Sequence, residues 1–472
     1  MSTEHPTTTT AERPTTGPAA KPYVSGHYTP VVDEVTAHGL TVHGTLPPEL
    51  NGRYFRNGHN PKPGYTPTHW FKGSGMIHGV RLRDGRAEWY RNRWVRTLAL
   101  DGVPYLSASG VPDLKVSEAA THVIEHAGRI LALQEASLPY EMTPELDTVG
   151  AFDFGGTLKT AMTAHPKTDP ATGELHFFAY GPFPPHLTYY VADAAGAIVR
   201  AETVDGAGPS LMHDFGLTRQ HVVWLDLPIV FNPAEQSGIP YRWSDTYTPR
   251  IGVMPRSGPA TVRWFEVEPG ALLHVANAYE DERGRIVLTG PRYDRGAWEQ
   301  TWKWWTGAPG YATEPMVGAT AHRWILDPAT GRAVEETVDD FVTEFPSINE
   351  DMTGAPHRFD YAVAFPGSGL GEYAIVKYDH TTGARELVPM GPGRMPGEAV
   401  FVPAAGATRE DDGYLLTVVS DLEQDASQLL ILDASALSDT PVATVELPRR
   451  VPSGIHGSWI ADAGPDAAEA GV

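Results

Sequence analysis

Short stretches in which apolar and polar side chains alternate recur along almost the whole chain, each bounded by glycine, proline, asparagine or aspartate. A period of two buries one face of an extended segment and wets the other, so the pattern predicts strands rather than helices. In Gly79-Val-Arg-Leu-Arg-Asp-Gly-Arg-Ala-Glu-Trp-Tyr90 the dipeptide Asp84-Gly85 falls at the tip of a hairpin, where a two-residue turn demands residues that tolerate positive φ. The stretch from His274 to Leu288 repeats the plan around Asp281-Glu-Arg-Gly284. Further turns are predicted at Asp169-Pro-Ala-Thr-Gly173, Asp327-Pro-Ala-Thr-Gly331, His380-Thr-Thr-Gly383 and Glu410-Asp-Asp-Gly413.

Three of these segments share one plan, in which a strand ends, turns through Asp and Gly, and gives way to another. Repeated four-stranded units of roughly 40–50 residues are the sequence form of propeller blades. The predicted fold is therefore all-β, a seven-bladed β-propeller, with a large sandwich as the competing architecture. Composition supports the turn-rich reading, since the 472 residues include 48 glycines and 42 prolines. Twelve Trp, 19 Tyr and 15 Phe supply enough apolar surface for a large core. Residues 1–22 read as a disordered leader, 23–462 as a single domain and 463–472 as a flexible tail.

A net charge of −22 disfavours nucleic acid as a partner, because phosphates need a cationic surface. No cysteine is present, which removes disulfides, thiolate metal sites, iron–sulfur clusters and cysteine nucleophiles together. Any metal must then sit on nitrogen or oxygen ligands. The first residues lack the apolar run of a secretory signal, and no stretch approaches the length of a spanning helix. The expected location is cytoplasmic; no protein partner is implied, and an apolar patch touching a membrane is left open.

Of 19 histidines, four stand at predicted strand ends: His165 in Thr-Ala-His-Pro, His213 in Leu-Met-His-Asp, His274 in Leu-His-Val-Ala and His456 in Gly-Ile-His-Gly. Their intervals of 48, 61 and 182 residues approximate one, one and three blades, and whole-blade spacing lets side chains meet near a propeller axis. His176, His221 and His322 sit in similar strands, so spacing alone leaves the choice open.

Gly52-Arg-Tyr-Phe-Arg-Asn-Gly-His-Asn-Pro61, His69-Trp-Phe-Lys-Gly-Ser-Gly-Met-Ile-His78 and Asn92-Arg-Trp-Val-Arg-Thr97 resemble the N-terminal signature of the carotenoid cleavage oxygenases, a family that includes the lignostilbene dioxygenases. The resemblance continues through Ala-Leu-Gln-Glu135, Ala-His165-Pro, Met-His213-Asp-Phe, Glu344-Phe-Pro-Ser-Ile-Asn349, Gly-Glu398-Ala-Val-Phe and Ile-His456-Gly. It implies a loop-and-helix dome over the propeller's top face and one Fe(2+) on the axis, held by His165, His213, His274 and His456. It also implies glutamates behind the ligands, Glu135 for His213, Glu344 for His274 and Glu398 for His456, and places Thr121 beside one open iron position.

Four neutral imidazoles leave a ferrous ion its full charge and open positions for dioxygen, while an outer carboxylate fixes each ligating ring. The implied reaction is oxidative cleavage of a conjugated C=C bond to two carbonyl products, with O2 as co-substrate. Phe71, Trp243, Tyr247, Trp302, Trp304, Trp305 and Phe345 are candidates to line an apolar tunnel, with core packing as the alternative for the Trp298–Trp305 cluster. His59 replaces a proline common in the family, and Lys72 and Ser74 replace acidic residues. Gln134 stands where the stilbene-cleaving branch carries a lysine that activates a 4-hydroxyl. That substitution favours an apolar apocarotenoid or carotenoid over a stilbenoid or phenylpropanoid, without dependence on a free 4-hydroxyl. A non-catalytic ligand-binding propeller, or a calcium-dependent propeller hydrolase, is the reading from another class.

Overall fold

The computed structural model describes residues 20–235, 238–312, 314–367 and 369–462. The expected leader and tail, 1–19 and 463–472, lie outside them. Strand accounts for 43% of the chain and helix for 5%, which makes the fold mostly β-sheet. Among the described residues the strands form six larger sheets and one two-stranded ribbon.

Hairpins form where turn chemistry predicts them. Gly75–Arg83 pairs with Arg86–Trp94 across Asp84 and Gly85, whose φ angles of 49° and 68° are the two positive values of a type I′ turn. Asp281–Gly284 joins Asn277–Glu280 to Ile286–Tyr293, and His380–Gly383 joins Ala374–Asp379 to Ala384–Pro389.

Neighbouring sheets share apolar clusters in chain order. Phe55 and Ile77 pack with Val123 and Tyr140 of the next sheet, and Leu131 with Phe177 of the one after. The sequence continues through Phe178 with Trp224, Val223 with Leu288, and Tyr361 with Phe401. The last sheet packs on the first through Leu416 and Ile431 against Tyr54 and Val80. A separate aromatic cluster is built by the helix α1 (Arg295–Thr306), N-capped by Asp294 and closed by Gly307 at φ 57°. Trp304 packs edge-on to Tyr28 and Trp70, while Trp298, Trp302 and Trp305 share the opposite face. Lys21 anchors the chain start to this helix by donating to Gly307 O at 2.9 Å.

Two seams join the chain's beginning to its end. Val42–Gly44 pairs with Ala443–Glu446, and Gly52–His59 pairs with Gly457–Ala461. At the second seam buried Arg56 donates to the carbonyls of Gly454 and Ile455 at 2.9 and 3.1 Å. Asn57 exchanges backbone hydrogen bonds with Ile455 and His456. Gly454 must be glycine, because a Cβ would sit 2.4 Å from Asn57 O. Gly454→Ala is expected to cost about 1–3 kcal/mol of stability in urea denaturation, as overpacking does, and to loosen His456 two residues on. An unchanged midpoint would show that the seam yields.

Candidate metal centre

The four histidines singled out by the sequence meet at one place. Each lies one to three residues before a strand: His165 before Lys167–Thr168, His213 before Gly216–Leu217, His274 before Asn277–Glu280 and His456 before Gly457–Ala461. Their Nε2 atoms face one another, at 3.0 Å for His165 and His213 and 3.3 Å for His213 and His274. Ligand atoms of His165, His274 and His456 all lie within 4.8 Å of one another. Thr121 occupies the matching place in its own sheet, one residue before His122–His126.

Three carboxylates fix the rings from behind. Glu135 Oε2 accepts from His213 Nδ1 at 2.5 Å, Glu344 Oε2 from His274 Nδ1 at 2.6 Å, and Glu398 from His456 Nδ1 at 3.1 Å. An ionised carboxylate can only accept, so each Nδ1 carries the proton and each Nε2 turns inward as a lone pair. Each glutamate is itself held: Tyr180 OH donates to Glu135, Tyr293 OH to Glu344 at 2.8 Å, and Gly457 N–H to Glu398 at 2.8 Å. Glu344 is reached through a bulge in Arg332–Ser347, where the register shifts and Phe345 adopts φ 54°, a strained value for a bulky residue.

The loops carrying the ligands are tied together by Asp214, directly after His213. Its carboxylate accepts from Val275 N–H at 2.7 Å and pairs with Lys167 Nζ at 3.1 Å, so it pins the residue after His274 and the strand after His165.

Electrostatics favour inward lone pairs at His165 and His456 and a proton at His213. Burial and the neighbouring imidazoles push the pKa values of His165 and His456 well below the ordinary histidine value. At His213 burial acts the same way, but the Glu135 carboxylate outweighs it and raises the pKa. Burial raises that of Glu398. His456 Nε2 is buried with no hydrogen-bond partner. Inward lone pairs repel unless a cation or a proton lies among them, and an orphaned buried nitrogen costs about 1–3 kcal/mol. The donor set therefore fits a metal ion with a preference for imidazole. Two other groups of potential ligands differ, because a guanidinium already serves them. Arg256 donates to Asp169 and His176, and Arg323 to His380.

A cavity borders His213 and His274, walled by Trp70, Phe71, Leu273, Met316, Phe345 and Ile455, with the polar residues His59, Thr121, Gln134 and Glu135 also lining it. The Thr121 hydroxyl donates to Gln134 Oε1 at 3.2 Å, leaving its methyl as the free end. Of the aromatics expected to line a tunnel, Phe71 and Phe345 border this cavity. Trp302, Trp304 and Trp305 pack in the aromatic cluster behind it, Trp243 packs against that cluster, and the Tyr247 hydroxyl is bound to Asp226. Sequence reasoning missed Asp214, Tyr180, Tyr293 and the seam residues Arg56 and Asn57. Asp214 carried a signal as an acid in the apolar setting Met-His-Asp-Phe, and Arg56 and Asn57 lay within the Gly52–Pro61 motif, whereas Tyr180 and Tyr293 carried none.

Comparison with known proteins places these residues in a wider context. The family described as retinal pigment epithelial membrane protein matches residues 28–461. A carotenoid cleavage oxygenase of Mycobacterium tuberculosis is 40% identical, over 94% of this chain and 99% of that protein. The fold is similar to that of an apocarotenoid oxygenase variant from Synechocystis, with TM-score 0.81 and 26% identity over 92% of this chain and 98% of that one. It is equally similar to a lignostilbene dioxygenase of Pseudomonas brassicacearum, with TM-score 0.82 and 27% identity over 94% and 99%.

Glu344→Gln keeps the shape of the fully buried residue behind His274 but removes its charge. It is expected to lower retention of a divalent metal by about 10–100-fold, measured by elemental analysis after dialysis against a chelator. Unaltered metal content would reduce Glu344 to a packing role.

Proposed function

Since the chain belongs to the carotenoid cleavage oxygenase family, we propose that it is a non-haem iron dioxygenase that cleaves a conjugated C=C bond of an apocarotenoid or carotenoid into two carbonyl products. The convergence of four inward imidazole nitrogens, three of them backed by carboxylates, carries this reading. His165, His213, His274 and His456 would hold one ferrous ion, which when bound supplies activation of dioxygen. Glu135, Glu344 and Glu398 would keep the ligand rings in place, and Thr121, on the cavity wall beside His213, would occupy space at one side of the ion.

The rest of the work falls to the chain. Trp70, Phe71, Phe345 and Met316 make the wall beside the ligands apolar, so an extended polyene would displace water there. Holding the double bond against the ligand cluster converts an encounter with oxygen into a positioned one. A seven-bladed propeller is the architecture we assign to the sheets, supported by their chain-order packing and the contact of last with first. The dome would be the loop-and-helix layer containing α1. Among the described residues no helix is long and apolar enough to cross a membrane.

A stilbenoid substrate is the second reading, favoured by the likeness to the lignostilbene dioxygenase. Gln134 on the cavity wall is neutral and cannot ionise a phenol as an ammonium would, which keeps the apocarotenoid first. The iron-loaded protein is expected to convert an apocarotenal into two carbonyl fragments carrying label from 18O2. His→Ala at any of the four positions should abolish iron or turnover. Wild-type rates in two of those variants, or no product from any apocarotenal, would sink the reading.

A further inference from the structure

The tyrosine that supports Glu344 opens onto the tryptophans of α1. Tyr293 OH donates to Glu344 Oε1 at 2.8 Å, and Glu344 Oε2 accepts from His274 Nδ1 at 2.6 Å, so two hydrogen bonds separate the phenol from a ligand ring. Burial and the neighbouring carboxylate hold the Tyr293 pKa well above the ordinary tyrosine value, so the hydroxyl keeps its proton. On its other side the Tyr293 ring meets Trp298 edge-on, with centroids 5.8 Å apart. Trp298 in turn lies 5.9 Å from Trp302 and 5.5 Å from Trp305, and those two are 5.9 Å from each other.

In a chain without cysteine, tyrosine and tryptophan are the side chains that a one-electron oxidant reaches most easily. Electrons pass readily between rings in contact, because tunnelling falls off steeply with the gap between donor and acceptor. A phenol yields its electron more easily when a base takes its proton at the same time, and the Glu344 carboxylate is placed to do so. The indole N–H groups of Trp302 and Trp305 are buried with no hydrogen-bond partner among the described residues. Nothing takes the N–H proton from either ring once it is oxidised, so a positive hole there stays mobile. Trp302 is 8% exposed against 1–2% for Trp298, Trp304 and Trp305, which makes it the point where the series meets solvent. The comparable tyrosine behind His213 leads elsewhere, since the aromatic neighbours of Tyr180 are Phe178 and Tyr241, both at 6.2 Å.

We propose that Tyr293, Trp298 and Trp302 form an electron relay that carries oxidising equivalents away from the ligand histidines when dioxygen is activated with no alkene bound. This rests on the oxygenase reading and adds a protective function to it. An over-oxidised iron centre takes one electron from Tyr293, whose proton passes to Glu344. Trp298 then gives one electron to the Tyr293 radical while Glu344 returns the proton, which leaves Trp298 as a radical cation. One electron from Trp302 neutralises Trp298 and moves the hole to the solvent edge. There a small reductant in solution, such as ascorbate, supplies one electron and restores Trp302. The net result is one electron passed from reductant to iron, with every side chain regenerated. Without the reductant, water adds to the exposed edge of the oxidised Trp302 ring, and a second oxidising equivalent with loss of two protons leaves hydroxytryptophan.

The test mixes hydrogen peroxide with the iron-loaded full chain in the absence of alkene and reductant. Radicals are read by freeze-quench electron paramagnetic resonance and products by mass spectrometry of peptides, with apocarotenal cleavage measured on the same preparations. Wild type should show a tryptophan radical and oxygenation centred on Trp302, and ascorbate should suppress the product. Trp298→Phe retains an aromatic ring and leaves the Tyr293–Glu344 hydrogen bond in place. It should halt the radical on Tyr293 as a tyrosyl signal, with severalfold less oxygenation at Trp302. Tyr293→Phe should lose both signals and shift oxidation onto the ligand histidines, whereas Tyr180→Phe should leave the Trp302 product in place. Equal oxygenation of Trp302 in metal-free protein, or a pattern unchanged in both Trp298→Phe and Tyr293→Phe, would overturn the proposal while leaving alkene cleavage standing. So would the absence of any radical from iron-loaded wild type that cleaves an apocarotenal. A chain that neither holds iron nor cleaves any apocarotenal would overturn both.

Discussion

Four imidazole nitrogens from four sheets point their lone pairs at one another across about 3–5 Å, and nothing among the described residues donates into the space between them. This is an unfavourable arrangement for a protein to build unless a cation occupies it. Each of the three carboxylates commits an outer proton and so prevents its ring from flipping to hide the lone pair. The cost of burying such a site is met elsewhere in the fold, by sheets whose apolar faces pack on one another along the whole chain.

Keeping the nitrogens in register requires that loops from distant parts of the sequence not drift. Asp214 accomplishes this for His165, His213 and His274 with a single buried carboxylate, and hydrogen bonds to charged groups are among the stronger ones, about 1.5–3 kcal/mol each. His456 is held differently, by Arg56 and Asn57 across the seam between the first strands and the last. Asn57 also donates through Nδ2 to Ala119 O and His122 O, on either side of Thr121. The Arg-Asn-Gly segment is therefore a clamp that serves fold closure and the site at once. Strain collects in the same region, as the φ of Phe345 shows.

The sequence made the strands and turns legible because both are local: alternation marks the first, and Asp-Gly chemistry the second. The hairpin tip at Asp84-Gly85 required no knowledge of the rest of the chain. The four histidines were legible only once family resemblance chose among them, since His176 and His322 sit in strands with the same pattern and are buried as well. What separates them is tertiary. His176 meets Arg256, and His322 lies 3.4 Å from Glu335, whereas the ligand set meets itself. Tyr180 and Tyr293 were invisible for the same reason, being ordinary strand aromatics until the fold turns their hydroxyls onto glutamates. The tryptophans of α1 pack in an aromatic core cluster, the alternative their sequence left open, since density of aromatics along a helix says nothing about which face a cavity touches.

The three glutamates would place three negative charges around one dication, an excess that a buried site does not tolerate without further donors. The structure disperses it. The carboxylate oxygen of Glu135 that faces away from His213 takes the Tyr180 hydroxyl, that of Glu344 takes Tyr293, and Glu398 takes the Gly457 amide. Phe345 N–H adds a second backbone donor to Glu344. A neutral donor on each carboxylate draws charge outward without cancelling it, so the ligand rings still experience an anion behind them. The site is thus a nested set of hydrogen bonds in which three imidazoles donate to carboxylates and each carboxylate accepts a further hydroxyl or amide, so the outermost donors set how much of that charge reaches the rings.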